Sequence, residues 1–531
     1  LEGIVFLIEE IRKLFQAPSL SIGVHYKGST LWTKGFGYAN LETELVPDSS
    51  TVYSIGSCTK GFTGTALSLL AQRGTVDLGD TVSSKIPGLE TVNNPKVAEK
   101  MTIRDMLSHC AGLSSMPFEV LGRDGHVLAE YKDIVHIFNH LPQAAPFKSE
   151  WTYNNWLFAL AGTLIVQESG SSYGKFIQRE ILKKIGMKRT FTSAPVDQNH
   201  ALPYLVFEDE NKAPMPVNLP HLDDGVAFDS SGAVRSCVDD LLLWSRALME
   251  AHPSRCHDKS LETLQDPGCF SAAAQKPHFP LSGGRDRNQQ YALGLFNLQL
   301  PTTEMNLVTN PDVNSRDYSI GKDSGAPRPV IGHTGELGGF LSAYWTFPED
   351  DCAIVVLTNS FQINGDPTNI IAQLLTQTVF NMKPWVDFME VAQNVVDNAK
   401  SRWDTVVEQL GLHRVPGTSP KSLDAYVGQY ENQGLAMRLN VSLSGDESYP
   451  LHLCINGLEG QVFELYHYHT DSWTFVRGTR DECIEKGYAM YLLSWESWII
   501  EFDVLESGQF LEVKWRLDTD ERLEPQVFLR T

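Results

Sequence analysis

The helical hydrophobic period of this 531-residue chain vanishes near residue 415, and that loss limits what the chain can fold into. On its N-terminal side the apolar positions Phe388, Ala392, Val395, Ala399, Trp403, Val406 and Leu410 step by fours and threes, which predicts a long helix ending at Gly411. The segment His413 to Ser422 then carries two prolines and a glycine, a linker composition. From Leu423 onward the helical period is gone. About eight short runs rich in aromatic and β-branched residues follow, among them Val462 to His469, Tyr491 to Phe502 and Phe510 to Leu517. Short, evenly spaced strands of this kind predict a closed or nearly closed antiparallel β-barrel.

Upstream, strands and helices mix. Leu20, Ile22 and Val24 alternate as a strand with Thr30 to Gly37 as its hairpin partner, and Thr59 to Arg73 reads as a helix stopped by Gly74. Helical patterns recur at 102–109, 155–168, 172–185 and 237–250, the last opened by Ser236 and Asp239 at capping-box spacing. Strand-like runs return at Gly339 to Phe347 and Ala353 to Asn359. Strands at both ends of this region fit one sheet flanked by helices, an α/β (α+β) domain. The resulting division is a catalytic-sized domain over 1–383, a bridging helix and linker over 384–422, and a barrel over 423–531.

With 43 Lys and Arg against 65 Asp and Glu, the formal charge is −22, the wrong sign for a chain that binds by neutralising phosphates. Nucleic acid and anionic membrane are therefore not expected partners, and no apolar run reaches the 18 or more residues of a membrane span. The eight cysteines include no C-x-x-C pair, which argues against a zinc site and against a disulfide framework. A reduced, cytoplasmic chain is the expectation, although Leu1 in place of Met and the sequon at Asn440 leave a secreted one open.

The chemistry concentrates in three places. Ser57-Cys58-Thr59-Lys60 lies where the strand-like Thr51 to Ile55 gives way through Gly56 to a helix. Residues three apart share a helix face, so Ser57 and Lys60 sit one above the other, with the hydroxyl at the positive helix end. A serine is a weak nucleophile until a neighbour takes its proton, and a desolvated lysine does so. Alone, the tetrad is a weak pattern that reads more readily as a capping serine and a surface lysine. Tyr153-Asn154-Asn155 precedes an apolar helix, where Tyr153 offers a phenol for proton relay and Asn155 a group to orient the lysine. The third place is Ile331-Gly332-His333-Thr334-Gly335-Glu336, with glycines that permit close backbone approach. Cys58 lacks a base at the matching spacing and reads as a packing residue. His467 and His469 stand two apart without a third ligand, so they read as solvated strand histidines and no metal is expected.

S-x-x-K, Y-x-N and H-x-G in this order resemble the serine β-lactamase and penicillin-binding-protein superfamily, in its class C β-lactamase, D-aminopeptidase and family VIII esterase branch. Further stretches look like landmarks of that branch: Gly35 to Ala39, Leu107 to Leu113, Ser231 to Asp240, Tyr291 to Gly294 and Gly338 to Phe340. Leu423 to Tyr430 resembles the opening strand of the lipocalin-like barrel that often follows this domain. The resemblance implies a β-lactamase/transpeptidase-like domain in which Ser57 forms an acyl-enzyme, Lys60 takes its proton and Tyr153 is the partner acid and base. Asn155 would hold the network, and His333, Thr334, Gly335 and Glu336 would form the substrate edge. Backbone N–H groups of Ser57 and Glu336 would make the oxyanion hole, each such donor worth about 3 kcal/mol. No cofactor is implied.

The chain departs from the family at His333, where β-lactamases and many transpeptidases carry a lysine whose permanent charge binds a substrate carboxylate. A histidine there, on an acidic chain, favours neutral esters, lactones or amides of a medium-sized apolar metabolite. The expected activity is that of a serine hydrolase in secondary metabolism, with a small-molecule acyl substrate. Two alternatives stand beside it: an acyltransferase or cyclase that uses the same acyl-enzyme on a carrier-protein-bound chain, and a silent scaffold that keeps the fold. The polar inserts 114–146, 195–228 and 301–328 are expected as pocket walls or surface decoration, and Tyr53, Trp151, Trp156, Phe340 and Tyr344 as pocket lining or core.

Overall fold

The structure is a computed structural model that describes residues 1–116, 122–194, 197–209, 211–217, 222–252, 254–255, 272–281, 288–306, 308–310, 318–323, 325, 327–489, 494–504, 510–518 and 520–531. Contacts group these residues into two compact units: Leu1–Pro87, Lys96–Gly112 and Pro146–Ala399 in one, Gly88–Pro95, Leu113–Ala145 and Lys400–Thr531 in the other. This grouping differs from a division read along the chain in two segments, 88–95 and 113–145, which pack with the barrel. Hydrogen bonds give the reason for 113–145: Arg123 N–H donates to Gln461 Oε1 at 2.8 Å, and Met116 N–H and the Ser114 hydroxyl both donate to the Asp518 carboxylate, the former at 3.1 Å. Segment 88–95 is held in turn by 113–145, where Val92 N–H donates to the Asn139 carbonyl at 2.7 Å.

The first unit is built on an antiparallel sheet of eight strands among the described residues, in the spatial order Ser29–Gly37, Ser19–Tyr26, Cys352–Thr358, Phe340–Phe347, Arg328–Leu337, Phe296–Leu300, Gln290–Tyr291 and Phe279–Pro280. Helices cover both faces. Ile22 and Val24 turn to one face and pack in a core with Ile354, Val356, Ile370 and Leu374, the last two from helix Pro367–Phe380. On the opposite face Gly23 has no room for a side chain, because Val238 and Leu242 of helix Val238–Ala251 come down against it. Helix Thr59–Gln72 is buried on nearly every side, Thr59, Lys60, Thr63, Thr65 and Ser68 along with its apolar residues, and Phe62 stacks on Trp244 at 4.2 Å between ring centroids.

The predicted helices form over Ile103–Leu107, Asn155–Ser169, Tyr173–Ile185 with a π-helical stretch at Gln178–Leu182, and Val238–Ala251. One local expectation is corrected. Ser236 and Asp239 do not cap the last of these helices, whose N-cap is Cys237; the Ser236 hydroxyl pairs with Thr190 at 2.8 Å and Asp239 accepts from Ser49 at 3.0 Å. Capping boxes instead open helix Ile103–Leu107, through Thr102 and Asp105, and helix Arg480–Glu485, through Thr479 and Glu482. The long helix spans Phe388–His413 and so runs past Gly411, which meets only open space.

In the second unit the strands Gly428–Asn432, Met437–Leu443, Leu451–Ile455, Val462–His469, Ser472–Thr474, Ile499–Val504, Phe510–Trp515 and Gln526–Arg530 close into an antiparallel barrel, with Tyr430 opposite Arg530. Inside and outside alternate: Leu451, Leu453 and Ile455 are buried and His452 and Cys454 are not. The interior is filled by aromatic rings, among them Tyr426, Tyr430, Trp473, Phe475, Phe502 and Trp515. The opening stretch Leu423–Ala425 is a 3₁₀ turn, with the strand starting at Gly428, and Tyr491 to Leu493 of the predicted run Tyr491 to Phe502 lie outside the described residues. His467 and His469 are half-buried, and Nε2 of His467 meets the Thr470 carbonyl at 3.0 Å.

Candidate active site

Ser57 sits in a 3₁₀ turn, Gly56–Cys58, that runs directly into helix Thr59–Gln72. The helix carries Lys60 one turn later, so its side chain returns over the serine: Nζ lies 3.0 Å from Ser57 Oγ. Two other oxygens surround that nitrogen, Asn155 Oδ1 at 2.8 Å and the Ser231 carbonyl at 3.1 Å. Lys60 is wholly buried. Burial without a neighbouring carboxylate drives its pKa well below the ordinary lysine value of 10.5, which favours the uncharged amine.

Tyr153 and Asn155 come from the segment that opens helix Asn155–Ser169, whose N-cap is the intervening Asn154. The Tyr153 hydroxyl donates to Ser57 Oγ at 2.6 Å, and the Lys60 nitrogen rests over the Tyr153 ring, 4.9 Å from its centroid. Burial raises the Tyr153 pKa above its usual 10, so the ring carries a phenol and not a phenolate. The sequence-predicted trio of Ser57, Lys60 and Tyr153 thus converges on one oxygen, and Asn155 joins it through the lysine.

The other wall is strand Arg328–Leu337. Its neighbour Phe296–Leu300 pairs with it only as far as Gly332, so His333 to Leu337 run on beyond the end of that strand. The turn carrying Ser57 packs against this stretch backbone to backbone. At Gly56, with φ +46°, a Cβ would fall 2.4 Å from the Glu336 carbonyl; at Gly335 it would fall 2.1 Å from the Ile55 carbonyl. Only glycine fits either place. The backbone of Glu336 is thereby brought beside Ser57, while the Glu336 side chain is exposed. Thr334 is buried within the strand.

His333 is fully buried, and burial next to Lys60 pushes its pKa down to about 3. Nδ1 meets the Thr334 carbonyl and so carries the ring proton, which leaves Nε2 to accept from the Tyr291 hydroxyl at 2.8 Å. The imidazole is neutral. Cys58 points away from the site: it is buried, its thiol lies near the His333 carbonyl at 3.4 Å and Ser342 Oγ at 3.2 Å, and its pKa is pushed up to about 12. Of the five aromatics considered as pocket lining, Tyr53, Trp156, Phe340 and Tyr344 belong to the core; Trp151 alone among them is partly exposed, packed beside Tyr153 and Tyr291.

A family model described as Beta-lactamase matches residues 7–377. The chain belongs to the beta-lactamase family. A second family model, described as a domain of unknown function (DUF3471), matches residues 412–530 and so covers the barrel. Among solved structures, the octameric penicillin-binding protein homologue from Pyrococcus abyssi aligns over 99% of both chains at 18% identity and TM-score 0.56. A class C beta-lactamase from Rhodobacter sphaeroides aligns over 72% of this chain and 99% of its own at 20% identity and TM-score 0.56. These likenesses show the fold. Among curated proteins, the unguisins hydrolase ungD of Aspergillus violaceofuscus is 27% identical over 259 residues, 46% of this chain and 45% of its own length. Protein flp of Staphylococcus aureus is 24% identical over 388 residues, 71% of this chain and 66% of its own. The match thus spans a little under half the length of the Aspergillus relative.

Two residues of this beta-lactamase-family site carry functions that the sequence reading left unassigned. Ser231 supplies a backbone carbonyl to Lys60, a contact no side-chain pattern signals. Tyr291 fixes the tautomer of His333, although the sequence marked it only as a landmark. No helix among the described residues is long and apolar enough to cross a membrane.

Proposed function

We propose that the protein hydrolyses a neutral ester, lactone or amide of a medium-sized apolar metabolite through an acyl-enzyme on Ser57. The observation that carries this reading is the environment of Lys60 Nζ. Asn155 Oδ1 and the Ser231 carbonyl are pure acceptors, so together they take both N–H bonds of a neutral amine. The lone pair is left for the Ser57 hydroxyl, which in turn accepts from Tyr153. The resting array is a proton chain that runs from Tyr153 through Ser57 to Lys60.

When Ser57 Oγ bonds to the substrate carbonyl carbon, its proton passes to Lys60. The leaving oxygen or nitrogen departs with the Tyr153 proton, and the lysine returns its surplus proton to the tyrosine. Water then repeats the sequence in reverse, attacking the ester while Ser57 regains its proton. The negative charge that develops on the carbonyl oxygen falls to the N–H groups of Ser57 and Glu336. The neutral His333 and the exposed Glu336 carboxylate favour an uncharged acyl group over an anionic one. The two Aspergillus relatives named unguisins hydrolases support a place in secondary metabolism. The test is labelling by a fluorophosphonate probe together with turnover of p-nitrophenyl butyrate. Both are expected in the native protein and neither in Ser57→Ala; labelling that survives the substitution would overturn the reading.

A further inference from the structure

We propose that His109 is a positioning residue for this reaction, acting on Tyr153 and Asn155 through the backbone that joins them. The inference rests on the reading of Ser57, Lys60 and Tyr153 as the reacting groups. His109 follows helix Ile103–Leu107 in a turn, with φ +57°, a conformation that histidine and asparagine adopt more readily than most residues. From there it grips the tyrosine segment at two points. Its carbonyl accepts from Thr152 N–H at 2.9 Å, and its Nδ1 accepts from Asn154 N–H at 3.1 Å. The two anchored residues flank Tyr153, and the second of them precedes Asn155.

The ring itself lies against the Tyr153 ring, 4.5 Å between centroids at 36°, with Tyr291 and Phe158 at 4.9 and 5.1 Å on its other sides. It is wholly buried, and Nε2 has no hydrogen-bond partner among the described residues. Because Nδ1 accepts, the ring proton is on Nε2 and the imidazole is neutral, as its burial near Lys60 and His333 also favours. An apolar ring would fill this aromatic pocket without leaving a buried N–H unpaired. What histidine provides that phenylalanine does not is one acceptor, directed at the peptide between the two functional side chains.

The experiment compares His109→Phe, which keeps a ring and loses the acceptor, with His109→Asn, whose Oδ1 occupies nearly the place of Nδ1 and which tolerates the positive φ. Misplacing a reacting group by about 1 Å costs on the order of 100-fold in rate. His109→Phe is therefore expected to lower kcat for p-nitrophenyl butyrate about 10- to 100-fold with KM within about threefold. His109→Asn is expected to recover most of that loss. Should His109→Phe fail to fold, His109→Gln, whose acceptor lies one bond farther out, replaces it with the same readout. Wild-type kcat in the Phe variant, or equal losses in the Phe and Asn variants, would refute the positioning role. Fluorophosphonate labelling that persists in Ser57→Ala would instead remove the underlying reading, whatever the His109 variants do.

Discussion

The Tyr291 hydroxyl stands 2.8 Å from Nε2 of His333 and donates to it, so the position that many members of the family give to a lysine is held here by a neutral ring. At His333 a substrate carboxylate meets a neutral ring in place of that lysine, and the strand's own arginine, Arg328, is paired with Asp350. We expect a p-nitrophenyl ester whose acyl chain ends in a methyl ester to be cleaved at least about tenfold faster, by kcat/KM, than the same p-nitrophenyl ester whose chain ends in a free carboxylate, a ratio that corresponds to about 1.4 kcal/mol. The ratio should hold constant from pH 6 to pH 8, because His333 titrates near 3 and not in that range. Equal rates for acid and ester would contradict this.

Replacing Lys60 by methionine removes the base and leaves its volume. Loss of general-base assistance is worth about 100- to 10,000-fold in kcat, measured on p-nitrophenyl butyrate. Arginine in its place carries a permanent positive charge and cannot accept the proton, and we expect it to be no better than methionine.

The pH profile follows from the same two groups. Only the uncharged form of Lys60 accepts a proton, so kcat/KM declines on the acid side, with the limb well below the ordinary lysine value of 10.5. Tyr153, raised above 10, keeps its proton up to alkaline pH, so no loss is expected before about pH 10. A rate that climbs steadily to pH 10 and beyond would mean that Lys60 is an ordinary charged lysine.

Cys58 adjoins the nucleophile in sequence but not in reactivity. With its thiol buried and held protonated at neutral pH, iodoacetamide should leave it unmodified in the native protein, as read by mass spectrometry, and Cys58→Ala should retain labelling of Ser57.

Asp366 is buried at the N-cap of helix Pro367–Phe380, where it accepts from Thr368 N–H at 2.7 Å, and burial raises its pKa from 3.8 to about 6. Between those values the folded state holds a proton that the unfolded chain has released, so this group makes stability fall as pH rises from about 4 to 6. The full effect is about 3 kcal/mol at roughly 1.4 kcal/mol per pH unit. Asp366→Asn keeps the cap and removes the titration. Its midpoint in urea relative to the native protein should improve on going from pH 4 to pH 7; an unchanged difference would rule the effect out.

What the sequence made legible was whatever depends on near neighbours. Ser57 and Lys60 are three apart on one helix, Tyr153 and Asn155 flank a cap, and His333 to Glu336 follow a strand entry. In the first two, spacing fixes which side chains share a direction, and the structure brings Ser57, Lys60 and Tyr153 to one oxygen, with Asn155 joined through the lysine and the Glu336 backbone packed against Gly56. The short, evenly spaced runs of aromatic and β-branched residues after Leu423 likewise sufficed for a barrel. Contacts made by main-chain atoms were not legible: the Ser231 carbonyl at Lys60 and the grip of His109 on Thr152 and Asn154 leave no pattern in side-chain type. Local rules also misled where tertiary partners compete, since Ser236 turns from the helix that follows it to pair with Thr190.

The bond from Met116 to Asp518 spans 402 residues of chain. At about 5–20 residues per second, the segment around Met116 leaves the ribosome roughly 20–80 s before the carboxylate that will hold it has been made. The first unit therefore begins its folding with a tethered loop still waiting for its partner. Shortening the chain at the end of the first unit would strand that loop along with removing the barrel, so the two halves form a single object of biosynthesis, ordered in time by the last strands to emerge.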